Sequence, residues 1–125
     1  MFNQDLTIVN KWFNKTTKKP EYVATHVTGF YSSSNGIGIN GVDLVKNDGF
    51  IARILMNVGG YQSPSTFQDN PTGWTLQKDD YIVKGIVSNI TSLDDLDNTE
   101  HFKITNYSIK DYGSTDMQHY EISGE

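Results

Sequence analysis

"GWTLQKDDYIVKGIV", residues 73–87, decides how this chain folds. A polar turn, Lys78-Asp79-Asp80, leads into Tyr81-Ile82-Val83, the aromatic and β-branched side chains that suit a pleated, half-buried surface. On an extended chain successive side chains point to opposite faces. Ile82, Lys84 and Ile86 therefore share one face, and Tyr81, Val83 and Val87 share the other with Gly85. A strand that is apolar on both faces except for one lysine is mostly buried, so Lys84 is expected to snorkel or to meet an acid. Trp74 and Leu76 are expected to anchor the turn. The stretch reads as the central hairpin of a β-protein.

The same signals recur outward from it. Leu6–Phe13, Tyr22–Tyr31, Phe50–Met56, Phe102–Lys110 and a short Met117–Ile122 are the other expected strands. Asn14–Pro20 is a basic turn between the first two, and Asn47-Asp48-Gly49 is a hairpin-type turn. No window sustains helical periodicity over three turns. The best helical turn is Ser92–Leu96, with Ser92 placed to cap and acids in the first turn to suit the helix dipole. Short strands joined by Gly, Asn and Asp turns predict one small all-β domain over residues 1–125, a barrel or sandwich with one short helical turn and long loops. Two segments stand apart. Asn57–Thr72 holds Gly59, Gly60, Pro64 and Pro71 with only Tyr61 and Phe67 as large apolar groups, and is longer than most connections. Ser32–Gly41 is the second flexible candidate.

Composition narrows the function classes. A chain of 125 residues has room for one core and buries roughly two-thirds of its unfolded surface. It has no cysteine, which excludes disulfides and thiolate metal sites. No basic n-region or long apolar run suggests a signal peptide or a membrane span, so we expect a chain made in the cytoplasm with no membrane partner. The net charge of −5 argues against nonspecific binding to a nucleic-acid backbone. The charge is also uneven, near +2 in residues 1–62 and near −7 in residues 63–125. Such polarity suits either a soluble surface or complementary faces for association.

Catalytic motifs fare poorly. Gly36-Ile37-Gly38-Ile39-Asn40-Gly41 matches G-x-G-x-x-G, but Val42–Lys46 and the turn after it leave no room for the helix that a pyrophosphate needs. Asp79 and Asp80 are adjacent and so diverge on an extended chain, where paired acid/base carboxylates must converge; both are expected to be solvated turn residues. Asp94, Asp95, Asp97 and Glu100 lack the glycine and terminal glutamate of an EF-hand register. His26, His101 and His119 show no zinc-ligand spacing, and no serine sits in a G-x-S-x-G elbow. Asn14, Asn89 and Asn106 head N-x-S/T sequons that carry no weight without a secretory signal. We expect no enzyme activity, no cofactor and no metal. Tyr61, Tyr81, Tyr107, Tyr112 and Tyr120 suit either a β core or an interface.

The order of features resembles the small head–tail connector proteins of tailed bacteriophages and prophages, the head-completion or stopper group of minor capsid proteins. The residues that carry the resemblance are the N-terminal strand Leu6–Phe13, the loop Tyr61-Gln62-Ser63-Pro64, and the central W-T-L-Q-x-x-D-x-I-V-K-G from Trp74. Next come Ile90-Thr91-Ser92-Leu93-Asp94-Asp95-Leu96, the strand leading to Ser108–Tyr112, and His119–Gly124. Where the family pattern has Gly-Asp before the central strand, this chain has Asp79-Asp80.

The resemblance implies a β-barrel protomer of a homo-oligomeric ring in the virion neck, between portal or adaptor and tail. Such a ring retains packaged DNA, touching it without sequence specificity, and docks the tail. A tail terminator is the near alternative; a standalone β-sandwich module that reads carbohydrate or peptide is the distant one. The candidate lumen or interface loops are Ser32, Ser33, Ser34, Asn35, Gly36 and Gly38 in one segment and Gly59, Gly60, Tyr61, Pro64 and Phe67 in the other. The candidate docking charges are Lys15, Lys18 and Lys19 on one side and Asp94, Asp95 and Asp97 on the other.

Overall fold

In the computed structural model, which describes residues 4–33, 49–87, 90, 93–96, 99–114 and 117–125, each segment with a strand signal forms a strand. They are β1 (Gln4–Asn14), β2 (Lys19–Ser33), β3 (Phe50–Leu55), β4 (Tyr81–Lys84), β5 (His101–Lys110) and β6 (His119–Gly124). All pairings are antiparallel, in the order β1-β2-β3-β6-β5-β4, and β4 pairs back onto β1 to close a barrel. Between a barrel and a sandwich, the chain makes the barrel. Closure supplies every strand with two neighbours along part of its length.

The alternation of side chains sorts the interior from the outside. Leu6 and Ile8 of β1 point inward to meet Val27 and Tyr31 of β2, Ala52 and Ile54 of β3, Ile82 of β4, Phe102 and Ile104 of β5, and Ile122 of β6. Trp74 and Leu76, buried in the same cluster, anchor the approach to β4 as the sequence suggests. Two aromatic groups brace the core. Phe50 stacks on Phe102 with centroids 5.4 Å apart, and Tyr61, Trp74 and Tyr120 pack mutually at 4.9–5.3 Å. At the β5–β6 register shift between Ile104 and Asn106, Gly124 lies so close to the Lys103 carbonyl and the Phe102 ring that any Cβ would collide.

A second apolar cluster lies outside the barrel. Val9 and Val83 face outward and are buried beneath Ile90 and Leu96, with Tyr22, Ala24, Tyr81 and Val87 around them. Leu96 belongs to a 3-10 turn, Leu93–Leu96, within the expected helical turn. This cover explains why the central strand is apolar on both faces. The strand is shorter than its sequence suggests, however. Gly85 takes φ 106°, a left-handed conformation that turns the chain out of β4. Ile86 therefore does not share a face with Ile82: it is 64% exposed, whereas Ile82 is fully buried. Lys84, at the end of the strand, reaches the surface as a snorkelling side chain would; its ammonium lies 5.9 Å from the centre of the Tyr31 ring.

The long connection 57–72 is folded onto the barrel. It begins in a 3-10 turn, Met56–Val58, and contains a short helix, α1 (Pro64–Asp69), that starts on a proline. Gln62 holds its two ends together. The Gln62 backbone N–H donates to the Trp74 carbonyl at 2.7 Å, and its side-chain oxygen accepts from the Thr72 and Gly73 N–H groups at 2.9 and 3.0 Å. Phe67, on α1, is fully buried. We expect Phe67→Ala to cost about 3–5 kcal/mol, the range for a fully buried phenylalanine. Urea denaturation reads that loss as a lowered midpoint with the slope unchanged; a free loop would show no shift.

Candidate interaction surface

β1 is eleven residues long, whereas β4 has four, and their pairing ends at Val9–Tyr81. Beyond Val9 the backbone of β1 has no strand on that side, and buried polar groups of a backbone demand partners. Side chains take the role. The Lys11 N–H donates to Asp80 Oδ1 at 3.2 Å, and the Phe13 N–H donates to Gln68 Oε1 at 3.2 Å. The Lys11 carbonyl accepts from Gln68 Nε2 at 2.8 Å and from Gln77 Nε2 at 3.3 Å. Trp12 Nε1 donates to the Gln68 carbonyl at 3.0 Å, which ties α1 to the same strand.

Asp80 is the centre of this network. Its Oδ2 accepts from Asn10 Nδ2 at 2.9 Å and from Gln77 Nε2 at 2.6 Å. Asn10, fully buried, also donates to the Thr75 carbonyl at 2.9 Å and accepts from the Thr75 N–H at 3.1 Å. Burial pushes the Asp80 carboxyl above the ordinary aspartate value, while the donors from Asn10, Gln77 and Lys11 pull it back. Asp80 is only 4% exposed, so it is not the solvated turn residue that the sequence suggests. Asp79 is exposed and has φ 75°, the left-handed backbone that glycine favours and aspartate tolerates. The two neighbours thus do opposite jobs, one bending the turn and the other locking β1. Neither is poised as half of a catalytic pair.

Over this floor lies an open groove of about 560 Å³, lined by Lys11, Phe13, Pro20 and Tyr22 on the β1–β2 side and by Lys78, Tyr81 and Lys103 on the other. Its three lysines are exposed, and Phe13 is 49% exposed. A groove of this kind, amphipathic and rimmed by cations, suits an acidic, partly apolar protein segment better than a small molecule, which favours an enclosed and mostly apolar pocket.

The residues singled out in the sequence fall in several places. Lys15 and Lys18 form the exposed turn between β1 and β2, where Lys18 takes φ 60°, and Lys19 starts β2. Asp94 and Asp95 are exposed on the 3-10 turn over the outer wall. Register places the exits of the two charge groups at opposite ends of β1, since the turn follows Asn14 whereas the connection leaves β4 where Lys84 pairs with Leu6. Gly59 and Gly60 are exposed, Tyr61 and Pro64 are half-buried, and Phe67 is a core residue of the protomer. Ser32 is exposed near the end of β2, and Ser33 closes that strand. Ser34, Asn35, Gly36, Gly38 and Asp97 lie outside the described residues, as does the G-x-G-x-x-G match.

The tyrosines divide as well. Tyr120 is buried, Tyr61 and Tyr107 pack against the core, and Tyr112 is 65% exposed. Burial pushes the hydroxyls of Tyr61 and Tyr120 above the usual phenol value, as it does for Tyr31. His26 meets Asp5 at 3.0 Å on the surface, His101 packs edge-on against Tyr81, and His119 Nδ1 lies 2.9 Å from the Met117 carbonyl. The described residues contain no group of three or more His, Asp or Glu placed to hold a metal, and no helix long and apolar enough to cross a membrane. Sequence reading missed Asn10, Gln68, Gln77 and the groove lysines. One signal was present: Asn10 falls on the inward face after Leu6 and Ile8, where an apolar residue would continue the pattern.

A model for a family of unknown function, DUF6751, matches residues 1–125. The chain belongs to this family. Neither the curated proteins nor the solved structures include a match to it.

The Asp80 lock separates the two acids energetically. Asp80→Ala strands three donors in a buried site and is expected to cost about 2–3 kcal/mol. Asp79→Gly trades a tolerated left-handed aspartate for a residue indifferent to that backbone, and is expected to change stability by less than about 1 kcal/mol. Equilibrium unfolding of both variants beside the wild type checks the contrast; equal losses would contradict it.

Proposed function

We propose that this protein is a structural ring subunit of a tailed-phage neck, seated between portal or adaptor and tail, where it helps to retain packaged DNA and to dock the tail. The observation that carries the reading is the pairing of the sequence resemblance with a small closed barrel. The barrel's interior is filled largely by apolar side chains from all six strands. A filled barrel holds no internal substrate, so its work is done by surfaces that meet other proteins. Asp79 adds support. It takes the left-handed backbone that the Gly-Asp of the family pattern would supply, so the departure at this position keeps the turn.

The loop Gly59–Phe67 bears on the same reading. It is braced by Gln62 and by the Tyr61–Trp74–Tyr120 cluster, and it presents Gly59 and Gly60 as small, exposed residues that let copies crowd around an axis. Exposed Tyr112 and Met117, each 65% exposed, flank the turn between β5 and β6 and add apolar surface for a neighbour. Unlike ends, one carrying the basic turn, suit stacking between different rings.

Negative-stain imaging of the purified protein, alone and with portal-bearing particles, tests the proposal. Rings with rotational symmetry that cap the portal are the expected result; a protein that stays monomeric and ignores such particles overturns it. If the basic turn is a docking face, the triple variant K15E/K18E/K19E should bind portal-bearing particles at least about tenfold more weakly, as when charges across an interface are reversed. Co-sedimentation with the particles reads that loss.

A further inference from the structure

The outer wall built from β1, β4 and β5 carries two unlike halves side by side. Along β1 the outward positions are Thr7, Val9, Lys11 and Phe13, alternating with the inward Leu6, Ile8 and Asn10. Thr7 and Val9 lie beneath the connection 85–100. Thr7 Oγ1 donates to the Gly85 carbonyl at 2.7 Å and accepts from the Val87 N–H at 3.0 Å, and Ile90 and Leu96 cover Val9. Lys11 and Phe13 open instead into the groove.

The two halves carry opposite charge. The acidic half exposes Asp94 and Asp95 on the 3-10 turn, and residues 85–100 contain no lysine or arginine; Glu100 pairs through its backbone with Lys84 on the inner side of the rim. The groove half carries Lys11, Lys78 and Lys103, with Lys15, Lys18 and Lys19 just beyond it. Among the described residues, none of the ion pairs involves Lys11, Lys78 or Lys103. Each half also ends in an exposed apolar side chain, Phe13 at the groove end and Ile86, beside Val87, at the acidic end; they are 49% and 64% exposed. The order along the wall is therefore Phe13, lysines, acids, Ile86.

Such an order is complementary to itself after a half-turn about an axis that lies in the plane of the wall and runs across β1. We propose that this wall is a docking face for a second copy of the chain, packed antiparallel about a two-fold axis. The acidic connection of each copy lies over the lysine groove of the other, and Phe13 of each meets Ile86 of the other. A nucleic acid fits less well. Asp79 and Asp80 line the groove, and the acidic half beside it repels a phosphate backbone. The inference does not rest on the neck reading. A two-fold contact closes on itself, whereas a ring needs a second, heterologous contact elsewhere on the protomer.

Sedimentation velocity on the full chain tests it. The wild type is expected to dimerise reversibly at low salt and to dissociate as salt screens the charges. The variants K11E/K78E/K103E and D94K/D95K change only exposed side chains, and circular dichroism checks that each is folded. Each alone should dimerise at least about tenfold more weakly, and an equimolar mixture should recover the dimer, because both contacts are then again between opposite charges. The absence of cysteine allows a geometric test as well. Phe13→Cys mixed with Ile86→Cys should form a disulfide between copies under mild oxidation, whereas Phe13→Cys alone should not. A dimer insensitive to both reversals, a mixture that recovers nothing, or Phe13→Cys self-crosslinking as readily as the mixture overturns the proposal. So does a wild type that stays monomeric at low salt while binding single-stranded DNA through the groove. Imaging of rings on portal-bearing particles remains a separate readout, so either proposal can fail without the other.

Discussion

The hydrogen bonds that converge on the Asp80 carboxylate hold the rest of the structure in place. They answer a geometric problem: β1 runs on past the end of β4, and the backbone on that side has no strand to bond. A carboxylate and two glutamine side chains stand in for the missing strand. An ionised group in such a site is tolerable only when its lone pairs are met, and here Asn10, Gln77 and the Lys11 N–H meet them. Asn10 extends the lock to the Thr75 backbone, and Gln68 extends it to α1. The far half of the β1–β2 hairpin, the segment 57–80 and the entry to β4 thus share one polar hub.

That hub also separates the two faces of the barrel wall. Inward lies an apolar, aromatic-braced core. Outward, the same strands carry residues that need a different partner at each level. Val9 and Val83 find theirs in Ile90 and Leu96, contributed by the chain's own acidic connection. Among the described residues Lys11 and Lys103 make no ion pair, Phe13 is half exposed, and the groove between them is open. The wall is thus half completed by its own sequence and half left for something else. An open groove with three exposed lysines and a phenylalanine at its edge is the kind of surface that partners cover.

Much of this fold is legible in the sequence because strand patterning is local. Val, Ile, Tyr and Phe runs between Gly, Asn and Asp turns marked all six strands to within a few residues, and Trp74 and Leu76 read correctly as anchors. What stayed hidden depends on contacts distant along the chain. Asp80 looks like a turn residue because its partners, Asn10 and Lys11, are about seventy positions away. Phe67 looks like a loop residue because the cavity it fills is made by other elements. Ile86 looked like a neighbour of Ile82 because the strand was read through to Val87, and the left-handed turn at Gly85 is invisible to alternation. The groove was missed for a related reason: its lysines come from β1, the turn before β4, and β5, and no short window contains them.

The net charge of −5 would suggest a protein that repels its own copies, and on average it does. Association is set by local charge, because beyond about 10 Å at moderate salt the mean field is screened. At that range the lysine groove and the acidic connection act as separate surfaces of opposite sign. They sit next to each other because one strand, β1, passes under both: its first outward positions are covered by the acidic connection, and its last ones form a side of the groove. The division falls where β4 ends, which is also where Asp80 takes over the pairing. The length of one strand relative to its neighbour therefore fixes the edge of the core, the position of the buried charge and the boundary between the two surface fields. A change that lengthened β4 would remove the need for the Asp80 lock and close the groove at the same time.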